Sequence, residues 1–127
     1  MASQRAYRPQ VLIVEDDTPV RRSLQLLLAA RGYAVRAYAN ASLALADPAA
    51  WQSDCLIADL VMDEIDGVGL LASLRAKGWD GTAILISGHL DGERTRHAEE
   101  AGFETILQKP FADGLLLDAV ARAVDDA

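Results

Sequence analysis

Four short apolar runs in this chain are each followed by a side chain able to do chemistry. Val11-Leu12-Ile13-Val14 runs into Glu15, Asp16 and Asp17. Asp54 to Ala58 leads to Asp59, Ala83 to Ile86 leads to Ser87, and Thr105-Ile106-Leu107 is followed two residues on by Lys109. Carboxylates brought together repel one another, and protonation or a bound cation relieves the repulsion. An all-oxygen set with open positions suits Mg²⁺, which keeps several waters and often bridges to phosphate. A carboxylate beside such an ion can attack a phosphoryl group and become an aspartyl phosphate. The Lys109 ammonium and the metal would neutralise the oxygens in transit, and the Ser87 hydroxyl could hydrogen-bond to the bound group. Taken singly, each piece is ordinary: an acidic helix start, a turn Asp, a Ser-Gly loop, a Lys-Pro exit from a strand. Their joint occurrence at successive strand ends is the informative feature.

The elements between these points must bring them together. Thr18 or Asp17 is a plausible cap for a helix with Pro19 in its first turn, and Val20, Leu24, Leu27 and Leu28 recur on one face before Gly32. Ala34 to Tyr38 reads as a strand, and Ser42 to Asp47 as a short helix ended by Pro48. Asp66-Gly67 opens a helix carrying Leu70, Leu71 and Leu74 that stops at Gly78. A polar helix is expected from about Leu90 to Gly102, with Ala98 and Ala101 inward, and a last helix from Phe111. Five strands alternating with five helices predict an open α/β sheet, mostly or wholly parallel, with helices on both faces. Ligands in such sheets bind beyond the carboxyl ends of the strands, where the reactive residues fall.

The length of 127 residues fits one domain. We expect residues 1–9 to form a flexible leader and 10–127 the folded unit. Twelve basic against 19 acidic residues give a formal charge of −7, and the basic cluster that neutralises nucleic-acid phosphates is absent, so no direct nucleic-acid partner is expected. Arg21-Arg22 reads as a solvated helix face. The one cysteine, Cys55, sits in an apolar run and reads as a small buried hydrophobe. No apolar stretch reaches the ~18–20 residues needed to span a bilayer, and Met1 to Pro9 lacks a hydrophobic signal core. The expected location is therefore the cytoplasm, without a membrane partner.

The quoted landmarks resemble the receiver domains of bacterial response regulators: Val11-Leu-Ile-Val-Glu-Asp-Asp17, Asp59-Leu-Val-Met62, Asp66-Gly67, Ile86-Ser-Gly88 and Lys109-Pro-Phe111. The likeness runs from about Gln10 to Val124. It implies a flavodoxin-like (βα)5 three-layer sandwich with a parallel five-stranded sheet of order 2-1-3-4-5. It implies that Asp59 is the phosphoacceptor, that Asp16 is the main Mg²⁺ ligand with Glu15 acting largely through water, and that Asp59 and the Val61 backbone carbonyl complete the protein's metal ligands. Ser87 is implied as the hydroxyl that moves to the phosphoryl group and Lys109 as its ionic partner, with a cis Lys109-Pro110 bond. The implied protein is not a turnover enzyme. It takes its phosphoryl group from a histidine kinase or phosphotransfer protein and acts on a partner, an output domain or a second copy of itself.

This sequence departs from the family pattern at three places. Asp63 stands where proline is common, a Glu-Asp pair replaces Asp-Asp, and Ile106 occupies a position usually given to Tyr or Phe. Ile106 cannot reproduce an inward aromatic rotation, so switching by that route is not expected. Val61 and His89 flank the expected site, and His89 reads as an exposed loop histidine. Among other readings, a phosphatase of the haloacid dehalogenase type would need an Asp where Val61 stands, and a flavodoxin-like cofactor binder would need a Gly-rich loop after the first strand. A pseudo-receiver acting only through protein contacts would not need the acidic pair, Asp59, Ser87 and Lys109. Leu115, Leu116 and Leu117 point about 100° apart on a helix, which leaves one of them free to face outward. The polar segment from Leu90 to Gly102 has few apolar anchors and is expected to move on phosphorylation.

Overall fold

The computed structural model describes residues 8–62 and 64–125, so Asp63 and most of the expected leader lie outside the described residues. The strands are β1 (Gln10–Val14), β2 (Ala34–Tyr38), β3 (Cys55–Asp59), β4 (Thr82–Ser87) and β5 (Thr105–Gln108). The helices are α1 (Thr18–Ala30), α2 (Ala41–Ala46), α3 (Gly67–Ala76), α4 (Gly92–Ala101) and α5 (Asp113–Asp125). All strand pairs are parallel, as the alternation of strands and helices predicts, and the order is β2-β1-β3-β4-β5, as the family resemblance implies.

The central strands are apolar throughout because they are covered on both faces. Side chains alternate: Val11, Ile13, Cys55, Ile57, Ile84 and Ile86 pack with Leu24 and Leu28 of α1 and with Leu116 and Val120 of α5. Leu12, Val14, Leu56, Ala58, Ala83 and Leu85 face α2, α3 and α4. Cys55 is fully buried in the first of these layers, as expected of a small hydrophobe, and its thiol pKa is pushed up to about 12, chiefly by burial.

Helix anchoring is uneven. Each fully buried Leu or Val is worth roughly 1.5–3 kcal/mol, and α1 and α5 each bury two such side chains. Ala98 is the one fully buried residue of α4. Leu115 is 55% exposed, Leu116 buried and Leu117 half-buried, so one of the three leucines does face outward.

Several acidic residues are accounted for as helix caps, which removes them from the list of site candidates. Asp17, rather than Thr18, caps α1 by accepting from the Val20 amide at 3.1 Å. Asp66 and Asp91 cap α3 and α4 through the amides of Gly69 and Arg94. Asp47 caps a 3₁₀ turn over Pro48–Gln52, where Pro48 ends one helix and opens another. α4 begins at Gly92 rather than near Leu90 because Asp91 takes the capping position. α5 begins at Asp113, after the cis Lys109-Pro110 bond and after Phe111, which packs against the α1/α5 layer. No described helix is long and apolar enough to cross a membrane.

Candidate functional site

Each site residue sits where a strand stops. β1 ends at Val14, so Glu15 is the next side chain over the rim, and its amide still donates to Tyr38 of β2 at 3.1 Å. Asp59 is the last residue of β3, and Ser87 the last of β4. The β3/β4 register pairs Asp59 with Ile86, placing Ser87 one step further along the rim. The Lys109 amide donates to the Ser87 carbonyl at 2.8 Å, which ties the end of β5 to the same edge.

Gly67 makes the approach of α3 possible. Its amide donates to the Leu60 carbonyl at 3.1 Å. A Cβ there would lie 2.5 Å from the Asp59 carbonyl oxygen, closer than atoms can pack, and in tight contact with Leu85 at 3.1 Å. The Asp66-Gly67 pair therefore caps the helix and lets it close beneath Asp59.

Lys109 is the centre of the cluster. Its Nζ donates to Glu15 Oε1 and to Asp59 Oδ2, both at 2.7 Å. The second oxygens are also held: the Val61 amide donates to Asp59 Oδ1 at 3.1 Å and the Asp17 amide to Glu15 Oε2 at 3.1 Å. Glu15 is fully buried and Asp59 nearly so, whereas Asp16 is exposed. Burial is the largest influence on Glu15 and raises its pKa above the ordinary value, against the lowering effects of Lys109 and the Asp17 amide. On Lys109 burial acts downward, but the hydrogen bonds to Asp59 and Glu15 outweigh it and the pKa is raised. The ammonium is thus firmly charged while the Glu15 carboxylate is held there at a cost.

Carboxylate oxygens of Glu15, Asp16 and Asp59 lie within 4.8 Å of one another. Ligands on opposite sides of a Mg²⁺ ion are ~4.2 Å apart at the usual bond length, so small side-chain movements would bring oxygens of this cluster onto one ion. Three carboxylates face one ammonium, an excess of acidic groups that a cation would offset. The donor set therefore fits a hard, oxygen-liking dication. The cleft at the cluster measures about 250 Å³ and is also lined by Val61, Gly88 and His89.

The structure brings Glu15, Asp16, Asp59, Val61, Ser87 and Lys109 to one rim. The Ser87 hydroxyl is fully buried and accepts from the His89 amide at 3.2 Å, turned toward the loop before α4. His89 is exposed, as read from the sequence. Ile106 is half-buried against the α2/α3/α4 layer. One residue at the rim is not legible in the sequence: Arg21, which reads there as a solvated helix face, is half-buried and reaches back to the Glu15 carbonyl. An Arg one helical turn after a strand end is the available signal, but it does not show what the guanidinium will meet.

Comparison with known proteins bears on the whole folded unit. The chain is 35% identical over 113 residues to the transcriptional regulatory protein FixJ of Rhizobium meliloti, covering 89% of this chain and 55% of FixJ. FixJ of Azorhizobium caulinodans is 34% identical over 114 residues, with 90% and 54% covered. The chain thus spans about half the length of these relatives. Among solved structures, that of FixJ-N superposes with a TM-score of 0.85 at 33% identity, covering 95% of this chain and 97% of that one. The chemotaxis protein CheY4 of Vibrio cholerae gives a TM-score of 0.85 at 24% identity over 92% of this chain and 99% of its own, a likeness of fold alone. The profile of the response regulator receiver domain matches residues 11–121, from within β1 into α5. The match takes in the rim, four whole strands and most of β1 and α5, and the chain belongs to the response regulator receiver domain family.

Proposed function

We propose that Asp59 accepts a phosphoryl group from the phosphohistidine of a histidine kinase or phosphotransfer protein, with Mg²⁺ as cofactor. The aspartyl phosphate then shifts the domain between conformations that a partner, an attached output domain or a second copy distinguishes. The observation that carries this reading is Asp59 gripped by Lys109 at 2.7 Å in a cleft where three carboxylates converge. In the transfer an Asp59 oxygen attacks phosphorus and the P–N bond breaks. The electron pair stays on the imidazole nitrogen, which takes up a proton. Lys109, already on Asp59, lies against the oxygens of the incoming group and offsets their charge. Asp16, Asp59 and the Val61 carbonyl would hold the metal directly. Glu15, whose oxygens are engaged by Lys109 and the Asp17 amide, would act through water. A bound Mg²⁺ supplies further charge neutralisation on the same oxygens. Attack of water on phosphorus later releases phosphate, so the domain resets itself without being a turnover enzyme.

Switching runs through the loop after β4. To meet the phosphoryl group the Ser87 hydroxyl gives up the His89 amide. The His89 carbonyl is itself held by Arg94 Nη1 of α4 at 2.9 Å, so the loop and the helix move as one. With Ala98 as its one fully buried anchor, α4 offers little resistance to a new pose. Ile106 takes no aromatic part in this. In this reading the exchange takes place in the cytoplasm, with neither membrane nor nucleic acid as a direct partner of the domain, and the charge of −7 supports the latter.

The test is the intact mass after incubation with Mg²⁺ and acetyl phosphate, and then with a histidine kinase, beside Asp59→Asn. We expect one added phosphoryl group in the wild type, absent in the variant and without Mg²⁺. No adduct from either donor would overturn the reading in favour of a pseudo-receiver. Unchanged amide exchange across Leu90 to Gly102 on phosphorylation would overturn the α4 step.

A further inference from the structure

We infer that Arg21 is a positioning residue for the metal site: it fixes the Glu15–Asp16 peptide and so aims the Asp16 carboxylate. The inference rests on the Mg²⁺ reading given above.

The two acidic residues at the end of β1 are held in different ways. Both oxygens of the Glu15 side chain are engaged, one by Lys109 at 2.7 Å and one by the Asp17 amide at 3.1 Å. Asp17 is fixed in turn as the cap of α1. Asp16 lies between them, exposed, and no hydrogen bond from the described residues occupies its carboxylate. What the fold fixes for Asp16 is the backbone from which its side chain springs.

That backbone has one notable support. The Glu15 amide continues the ladder to Tyr38, but β2 stops there and offers no further strand amide for the Glu15 carbonyl. Arg21 takes the missing strand's place. Its Nη1 donates to the Glu15 carbonyl at 2.8 Å, and its Nη2 to the Thr18 hydroxyl at 3.2 Å. Because the peptide unit is planar, holding the Glu15 oxygen also holds the Asp16 amide nitrogen and the bond to its Cα. The neighbouring Arg22 is exposed, so the doublet divides into one inward and one outward guanidinium.

The sign of the expected effect separates positioning from charge. Removing a cation near a cluster of carboxylates should by charge alone tighten Mg²⁺ binding. Loss of positioning should weaken it, as removal of outer supports of metal ligands commonly does by 10–100-fold.

The experiment measures Mg²⁺ affinity by titration calorimetry, well below the melting temperature, for the wild type, Arg21→Met, Arg21→Lys and Arg22→Met. Amide exchange at Asp16 and Asp17 is followed in the metal-free proteins. We expect Arg21→Met to raise the Mg²⁺ Kd roughly tenfold, at the low end of that range, and to speed exchange at both amides. Arg21→Lys, which keeps the charge and one donor, should fall between, and Arg22→Met should match the wild type. Binding by Arg21→Met within about twofold of the wild type, or tighter, would overturn the inference. So would equal weakening by Arg22→Met. Were Arg21→Met to fail to fold, a wild-type affinity in Arg21→Lys with unchanged exchange would do the same. Absence of Mg²⁺ binding in the wild type would instead strike the metal reading itself and take the inference with it.

Discussion

The two ends of the sheet carry similar kinds of polar residue and use them in opposite ways. At the amino end, the Gln10 amide donates to Asp54 at 2.9 Å, and the Gln10 side chain donates to the Ala49 carbonyl and the Ser53 hydroxyl, both at 2.9 Å. Trp79 Nε1 donates to the Ser53 carbonyl at 2.7 Å, while Arg75 stacks 4.8 Å over the Trp79 ring and donates to the carbonyls of Trp79 and Gly81. Most of these partners are neutral backbone groups, and the end is sealed. At the carboxyl end charge faces charge, one carboxylate stands open, and the balance calls for a cation. What marks a site here is bonding capacity left over after the fold has taken its share, and polarity alone does not supply it.

The largest effect that would break this contrast is expected at Lys109. Lys109→Met should slow phosphoryl uptake by about 10²–10³-fold, the usual cost of removing a donor from developing charge, as read from the time course of intact mass. A loss of less than tenfold would mean that the carboxyl end does not depend on its one ammonium.

Glycines at the two ends sharpen the comparison. A Cβ at Gly67 would lie 2.5 Å from the Asp59 carbonyl, and one at Gly81 2.3 Å from the Trp79 ring and 2.8 Å from the Asp54 carbonyl. Gly67→Ala and Gly81→Ala should each cost about 1–3 kcal/mol in urea unfolding. Only the first should also slow phosphoryl uptake in protein that remains folded.

A smaller difference lies within the amino end. Trp79 Nε1 is bonded, whereas Trp51 Nε1 is buried without a partner and its ring lies 4.6 Å from the Lys77 ammonium. Trp79→Phe leaves the Ser53 carbonyl unpaired and should lose about 1–3 kcal/mol more than Trp51→Phe. Equal losses would show that packing alone closes that end.

The smallest expected effect lies at the β2 edge. The Tyr38 hydroxyl, first, and the Ala49 amide, second, hold the Asp47 pKa below 3.8. A depressed carboxylate pKa contributes stability above the unfolded value that is lost as pH falls through the folded one. The stability gap between wild type and Tyr38→Phe should therefore be level from pH 3.8 up to the range in which tyrosine ionises and narrow below pH 3.8, as followed by thermal melts against pH. A gap independent of pH would assign the loss to packing.

The sequence showed the strands well because burial on both faces leaves continuous apolar runs such as Val11–Val14, and it showed which polar residues gather at one rim because each run ends on such a side chain. It showed less where a side chain meets backbone from another element. That Arg21 would turn inward and Arg22 outward depends on where β2 stops, which a doublet cannot encode. The Ser87 hydroxyl lies against the His89 amide because of the path of one loop. Glu64 adopts a left-handed backbone at φ 64°, a conformation that side chains with a Cβ resist, so local preference gave no sign of it.

The burial of Cys55 reaches beyond packing. A thiol that stays protonated to about pH 12 presents almost no thiolate to an oxidant or an alkylating reagent at neutral pH. As this is the chain's one cysteine, its thiol chemistry offers an oxidant no ready point of attack on the domain. A thiol introduced at an exposed position such as Leu115 would be the sole reactive sulfhydryl on a silent background, ready to carry a reporter of α5 without disturbing the rim.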